Sequence, residues 1–232
     1  MQIILDGIRE ALRLIISRDP AVLDAAFRTA WVSVGAVGIS ALFGIPFGTA
    51  LARKRVIGSG LLVLFFRTTM AVPTVFVGIT CFLLFSRQGP LGVLELLYTP
   101  WAIVFGEVLL AFPIIVSLSH GAVRSLDERV AETARTLGAS MWRRWGTYLS
   151  EARVGIVLAV LTAFGRCVSE LGIAMMVGGN IEGRTRTLST ATALDTNMGN
   201  YTRGLAMGLI LLFLSLGVTV TVLFLGREGK RK

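Results

Sequence analysis

Apolar positions along this chain gather into five long runs, at about 29–51, 59–85, 102–120, 154–178 and 204–225, with polar stretches between them. A helix needs roughly 20 mostly apolar residues to cross the hydrocarbon core of a bilayer. Each run therefore predicts one crossing: Thr29 to Leu51, Ser59 through Pro73 to Phe85, Ala102 to His120, Val154 to Gly178, and Gly204 to Leu225. Residues 2–17 follow a different rhythm. Ile4, Ile8, Leu12 and Ile15 share one helical face, and Asp6, Arg9, Glu10 and Arg13 occupy the others. That pattern suits an amphipathic helix lying in the membrane interface. The reading is an all-α integral membrane protein with five transmembrane helices, or six if residues 2–17 also cross. Its parts are an N-terminal amphipathic helix and linker (1–25), a membrane domain (26–228) and a basic tail (229–232).

Composition agrees. Hydrophobic residues make up 54% of the chain, charged residues 16%, and the mean hydropathy is +0.74, far from soluble composition. A secretory signal is a poor account of the N-terminus, because four charges interrupt its apolar residues and no small-residue cleavage site follows.

The net charge of +9 is a topology signal. Five crossings put Arg53, Lys54, Arg55, Arg124, Arg129, Arg135, Arg143, Arg144, Arg153, Arg227, Lys230, Arg231 and Lys232 on one side and eight cations on the other. The richer side is the cytoplasmic one, which places the N-terminus outside and the polar segment 121–153 inside. Cations spread over loops without a soluble domain do not make a nucleic-acid-binding surface.

Reactive side chains are few. Cys81 and Cys167 fall inside spans, where a thiol behaves as a small apolar group. His120, the single histidine, has no Cys, Asp or Glu companions at ligand spacing, so no metal site is expected.

Small residues at Ala36, Ser40, Gly44, Gly48 and Ala52 recur every four positions, and Gly204 and Gly208 repeat that spacing. Such rows let membrane helices approach closely and predict a compact bundle. Pro46, Pro73 and Pro113 interrupt three spans, as ordinary kinks or as parts of a gate.

Within the polar segment, Ser125 followed by Glu128 reads as a capping box. Leu126, Val130, Ala134 and Leu137 then line one side of a helix, and Gly138 suits a left-handed end. Ser140 can cap a second short helix carrying Met141, Trp142 and Trp145. The product is helix, sharp turn, helix, with Arg135, Arg143 and Arg144 around it. It is either a handle for a partner or a loop lying on headgroups.

Glu132-Thr133-Ala134-Arg135-Thr136-Leu137-Gly138, continuing through Ala139-Ser140 and Trp142-Arg143 to Glu151-Ala152-Arg153, resembles the EAA loop of ABC importer permeases. It departs at Leu149-Ser150, where that family usually has Leu-Pro. A second set, Gly165-Arg166-Cys167-Val168-Ser169-Glu170-Leu171-Gly172, Met175 to Ile181 and Thr185 to Ala191, is similar to the oxyanion permeases and leans toward their tungstate branch. The resemblance covers residues 29–225. It implies a type I ABC importer-like fold and a homodimer of permease chains in the inner membrane of a prokaryote. It also implies two ATPase subunits that bind ATP and Mg, and an extracytoplasmic oxyanion-binding protein. The loop 121–153 would then couple to the ATPase through Glu132, Ala134, Leu137, Gly138, Ala139, Trp142 and Arg143. No Gly-x-x-x-x-Gly-Lys-Ser/Thr run occurs, so this chain needs no cofactor of its own and is not an enzyme. Tungstate, molybdate and sulfate share charge and shape, and the expected cargo is tungstate, with the other two as alternatives.

Ionisable groups inside spans are functional candidates by default. Arg67, Glu107, Arg166 and Glu170 qualify. One reading lets Arg67 or Arg166 attract a passing dianion, with Ser169 and Asn180 as neutral donors and Pro73 at a gate. The other pairs Arg166 with Glu170 and Arg67 with Glu107 to lock the bundle. Likewise the Gly178-Gly179-Asn180 turn with Arg184 and Arg186 either docks the binding protein or is solvated. A channel or secondary transporter would show repeats between halves, which are absent, and would have no use for an EAA-like loop. A membrane enzyme would need a nucleophile or metal set that the sequence lacks.

Overall fold

The computed structural model describes residues 2–53 and 59–228, so Lys54, Arg55 and the tail 229–232 lie outside it, as do the side chains of Arg135 and Arg227. The described residues form ten α-helices: α1 (Gln2–Ile16), α2 (Pro20–Arg53), α3 (Ser59–Thr69), α4 (Thr74–Phe85), α5 (Pro100–Arg124), α6 (Glu128–Thr136), α7 (Met141–Glu151), α8 (Arg153–Val168), α9 (Leu188–Asn197) and α10 (Tyr201–Glu228). A 3-10 turn at Gly92–Leu94 and a π turn at Ala174–Gly178 interrupt the connections.

The heart of the bundle is the α2–α5 pair, brought together by the small-residue row. Ala36, Ser40, Gly44, Gly48 and Ala52 are all buried. A Cβ at Gly44 would lie 3.1 Å from Ile115 Cγ2, and one at Gly48 would lie 2.6 Å from the Val116 carbonyl oxygen. Ser40 Oγ donates to the Val108 carbonyl at 3.5 Å. Helices approach this closely only where side chains are absent or tiny, which replaces the missing hydrophobic drive with van der Waals contact. Gly204 and Gly208 serve a more local purpose, facing Thr196 and Thr192 of α9.

Pro46 and Pro113 lie inside continuous helices. Pro73 does not, and the second expected crossing is therefore not one straight helix. α3 and α4 meet at 97°, because proline removes an N–H and pushes the preceding residue out of the helical region. The fourth crossing is also broken: α8 ends at Val168 after 16 residues, about 24 Å at 1.5 Å per residue. The chain turns through Ser169 and Glu170 and resumes in the π turn, which α4 holds in place through Gly78, whose Cβ would lie 3.1 Å from the Gly172 carbonyl. Among the described residues, α2, α5 and α10 are long and apolar enough to span, and the bent α3–α4 pair makes a fourth candidate.

α1 is 15 residues long, about 22 Å, short of the ~30 Å hydrocarbon core. Its packing face is Gly7, Ala11 and Leu14, with a Gly7 Cβ position 2.5 Å from Leu205 of α10. The Ile4, Ile8, Leu12 and Ile15 stripe points outward and is exposed. Small residues let α1 close on α10, while the large apolar ones are left to the surroundings.

Candidate functional site

The polar helix pair is built from local signals. α5 runs on to Arg124, which leaves Ser125 in its last turn, where Ser125 Oγ donates back to the Ala122 carbonyl at 2.9 Å. The expected Ser125–Glu128 capping box therefore does not form. Asp127 caps α6 instead, its Oδ1 accepting from the Arg129 amide at 2.9 Å. Aspartate is as good a cap as serine, and sequence reasoning overlooked it because both stand before the helix.

Leu126 and Val130 pack against the buried cluster of Ala52, Val123, Tyr148 and Ala152, and so seat α6 on the ends of α2 and α5. Ala134 is buried. At the end of α6 the Ala139 amide donates to the Ala134 carbonyl at 3.0 Å, and Gly138 has φ +68°. That six-to-one bond around a left-handed glycine is a Schellman ending. Ser140 Oγ then accepts from the Arg143 amide at 3.5 Å and starts α7.

The sharp turn leaves two large apolar side chains in the open. Leu137 is 79% and Trp142 85% exposed, although Leu137 was expected to continue the packed row of α6. Glu132 is exposed as well. Val130, Ala134, Leu137, Ala139, Arg143 and Thr147 line a groove of ≈ 540 Å³ between the two helices.

One connection was not legible in the sequence. Arg53, at the end of α2, donates from Nη2 to the Val123 carbonyl at 2.9 Å, and its guanidinium lies 4.7 Å from the centre of the Tyr148 ring. A single cation thus ties α2, α5 and α7 together, by a hydrogen bond and a cation–π contact. Only an arginine closing a span and a tyrosine on a short amphipathic helix hinted at it.

The pathway candidates fall into three places. Arg166 Nη1 meets Glu170 Oε2 at 2.9 Å, with the glutamate buried and the arginine partly exposed. Glu170 Oε1 also accepts from the Ile173 amide at 3.0 Å, so this carboxylate ends one helix and starts the next turn. Ser169 Oγ donates to the Gly165 carbonyl at 3.0 Å. Asn180 sits at the outer turn with φ +51°, its Oδ1 accepting from Arg186 Nε at 3.2 Å. Arg186 is held in turn by Glu182 at 2.6 Å, whereas Arg184 is exposed. Pro73 marks the bend, and Arg67 lies on the exposed side of α3.

The expected Arg67–Glu107 pair does not exist. No ion pair among the described residues includes Arg67. Glu107 is buried in α5, with Ser33 and Cys167 against its carboxyl. Arg67 and Glu107 lie on separate helices, and helical spacing says nothing about such a pair.

Because Glu170 serves as both cap and ion-pair acceptor, Glu170→Ala should leave the Ile173 amide buried and unsatisfied, at about 1–3 kcal/mol. Glu170→Gln keeps an acceptor for that amide and should cost less. Thermal unfolding of the detergent-solubilised variants separates the two, and equal stabilities would rule out the capping role.

The family model for binding-protein-dependent transport system inner membrane components matches residues 44–228. A tungstate uptake system permease protein of Peptoclostridium acidaminophilum is 34% identical over 228 residues, covering 98% of this chain and 100% of that protein. A probable anion ABC transporter permease protein of Haloferax volcanii is 40% identical over 193 residues, covering 81% and 83%. A molybdenum transport system permease protein of Escherichia coli is 31% identical over 182 residues, covering 72% and 79%. Among solved structures, an inward-facing MetNI methionine ABC transporter matches the fold with a TM-score of 0.66 at 18% identity, covering 89% of this chain and 93% of that one.

Proposed function

The chain belongs to the family of binding-protein-dependent transport system inner membrane components, and on that premise we propose that it is the permease subunit of an ATP-driven importer for a tetrahedral oxyanion, tungstate ahead of molybdate or sulfate. It is an inner-membrane transport component rather than an enzyme. Its partners in this reading are a second copy of itself, two ATPase subunits that bind ATP and Mg, and an extracytoplasmic protein that delivers the anion.

The observation that carries the reading is the helix pair α6–α7, which leaves Leu137 and Trp142 exposed while Arg53 ties α7 to two spans. Two large apolar side chains this exposed invite a partner surface, and burying each is worth about 1.5–3 kcal/mol. Glu132 and Arg143 flank them with opposite charge and set the docking orientation. Ala134 and Ala139 keep the two helices close, and Gly138 sets their angle. A tilt imposed on α7 by the ATPase passes through Tyr148 and Arg53 into α2 and α5, which converts nucleotide binding into alternating access.

The full complex, reconstituted in vesicles with ATP inside and binding protein outside, should accumulate tungstate. Tungsten counted by mass spectrometry should rise only with ATP. A tenfold excess of molybdate should compete more weakly than unlabelled tungstate, and sulfate more weakly still. Accumulation without ATP would overturn the importer reading, and stronger competition by molybdate or sulfate would overturn the choice of anion.

A further inference from the structure

The groove between α6 and α7 has a wall on each helix. Arg129, Thr133 and Leu137 recur every four residues on the first wall, and Arg143, Thr147 and Glu151 do so on the second. Residues four apart share a helical face, so one face of each helix looks into the same ≈ 540 Å³ of space. Leu137, just past the end of α6, keeps to its row because its amide donates to the Thr133 carbonyl at 3.0 Å. Val130, Ala134 and Ala139, buried or half-buried, form the floor. Two alanines there leave the space open, and its volume lies in the range of roughly 300–1,000 Å³ that suits a bound group.

The two ends of the groove differ in charge. Leu126 and Val130, at the start of α6, pack on the cluster that holds Tyr148 and Ala152, at the end of α7, so the helices run antiparallel. Arg129 therefore shares one end with Glu151, while Arg143 lies at the turn end with Leu137. Glu151 is the only acid among the described residues of the lining, and no ion pair among the described residues includes Arg143. The turn end offers an exposed leucine, a cation and no carboxylate. Such a surface complements a segment that carries an apolar side chain next to an acid. Trp142 does not line the groove, yet stands exposed at the same turn. The helix pair thus presents a knob and a hole side by side.

Resting on the importer reading, we propose that this groove receives a projecting segment of the ATPase subunit, with a carboxylate on Arg143 and an apolar side chain against Leu137, Ala134 and Ala139. Docking is then reciprocal: Trp142 enters the ATPase, and the ATPase enters the permease. Two interlocked elements resist sliding in either direction, which a single knob does not. A closing motion of the ATPase is therefore passed to α7 as a tilt and is not lost as slip.

The test is the Kd between the purified ATPase, with nucleotide present, and the permease in detergent. Thr133→Leu/Thr147→Leu fills the groove from both walls and leaves Leu137, Trp142 and Arg143 in place. Binding should weaken about tenfold or more, the loss expected when one buried anchor is shut out. Thr136→Leu, the same change on α6 outside the lining, should bind as wild type does. Arg143→Gln should weaken binding and flatten its salt dependence, and Arg143→Lys should recover much of both. Arg129→Gln should do less, because Glu151 shares its end. Equal affinity of the filled and wild-type chains would overturn the groove as a docking site, and equal effects at Arg129 and Arg143 would overturn the placing of the carboxylate. If the filled variant fails to fold, Thr133→Cys decides. Cys81 and Cys167 are buried, so maleimide labelling of the permease reports the groove, and the ATPase should slow it at least tenfold. An unchanged labelling rate overturns the proposal. A wild-type permease that binds no ATPase would instead refute the importer reading beneath it.

Discussion

Gly48→Ala should lower the thermal stability of the purified protein, because the new Cβ would sit 2.6 Å from the Val116 carbonyl oxygen and 3.1 Å from the His120 amide nitrogen. Both are backbone atoms, so no rotamer change relieves the clash and α2 must move off α5. Overpacking a tight core costs about 1–3 kcal/mol. The loss spreads beyond one contact, since the same row seats Gly44 on Ile115 and Ser40 on Val108. Gly35→Ala is the control in the same helix. Nothing lies within 4 Å of its Cβ position, and alanine improves helix propensity by up to about 1 kcal/mol. Thermal unfolding in one detergent should rank Gly35→Ala at or above wild type and Gly48→Ala clearly below. Should the two variants unfold together, the close α2–α5 approach is wrong.

Gly138→Val should uncouple the transporter while leaving the bundle folded. Gly138 has φ +68°, and a Cβ there would meet nothing within 4 Å, so the penalty is conformational and not steric crowding by neighbours. A left-handed residue with a side chain costs roughly 1–2 kcal/mol, and a β-branched one is worse placed still. Relieving that strain would reopen the Ala139–Ala134 hydrogen bond and swing Leu137 away from Trp142. On the scale where 1.4 kcal/mol is tenfold in affinity, ATPase docking should weaken about tenfold. Gly138→Asn should weaken it less, because asparagine tolerates this region. The measurement is anion-stimulated ATP hydrolysis at limiting ATPase concentration, with thermal unfolding as the check on the fold. Unchanged stimulation in Gly138→Val would show that the turn does not set the docking geometry.

Both substitutions address features that the sequence carried openly. The small-residue row of α2 was visible as a four-residue period, and the α6–α7 turn as glycine followed by a serine cap. In each case the physics acts within one or two helical turns: a face without side chains, or a backbone sign that only glycine adopts cheaply. The apolar length of α2, α5 and α10 is equally local, and so is the Arg166–Glu170 pair, whose members are one turn apart on the chain.

Other features depended on partners distant in the chain. Pro73 announced a break but not its 97° angle, which is set by how α3 and α4 each find room against α5. The apolar stripe of α1 was plain, yet packing chose the adjoining face, because Gly7 and Ala11 allow an approach to α10 that isoleucines would block. Arg67 was matched to Glu107 on charge alone, whereas Arg67 lies on the exposed side of α3 and Glu107 is buried in α5. Arg53 and Tyr148 meet only because α2 and α7 end at the same corner of the bundle. Periods, caps and turn residues are written in neighbouring positions, and these the sequence by itself determined. Which buried face meets which, and which charge is left without a partner, tertiary packing alone decided, because close packing and charge pairing are satisfied across helices and not along them.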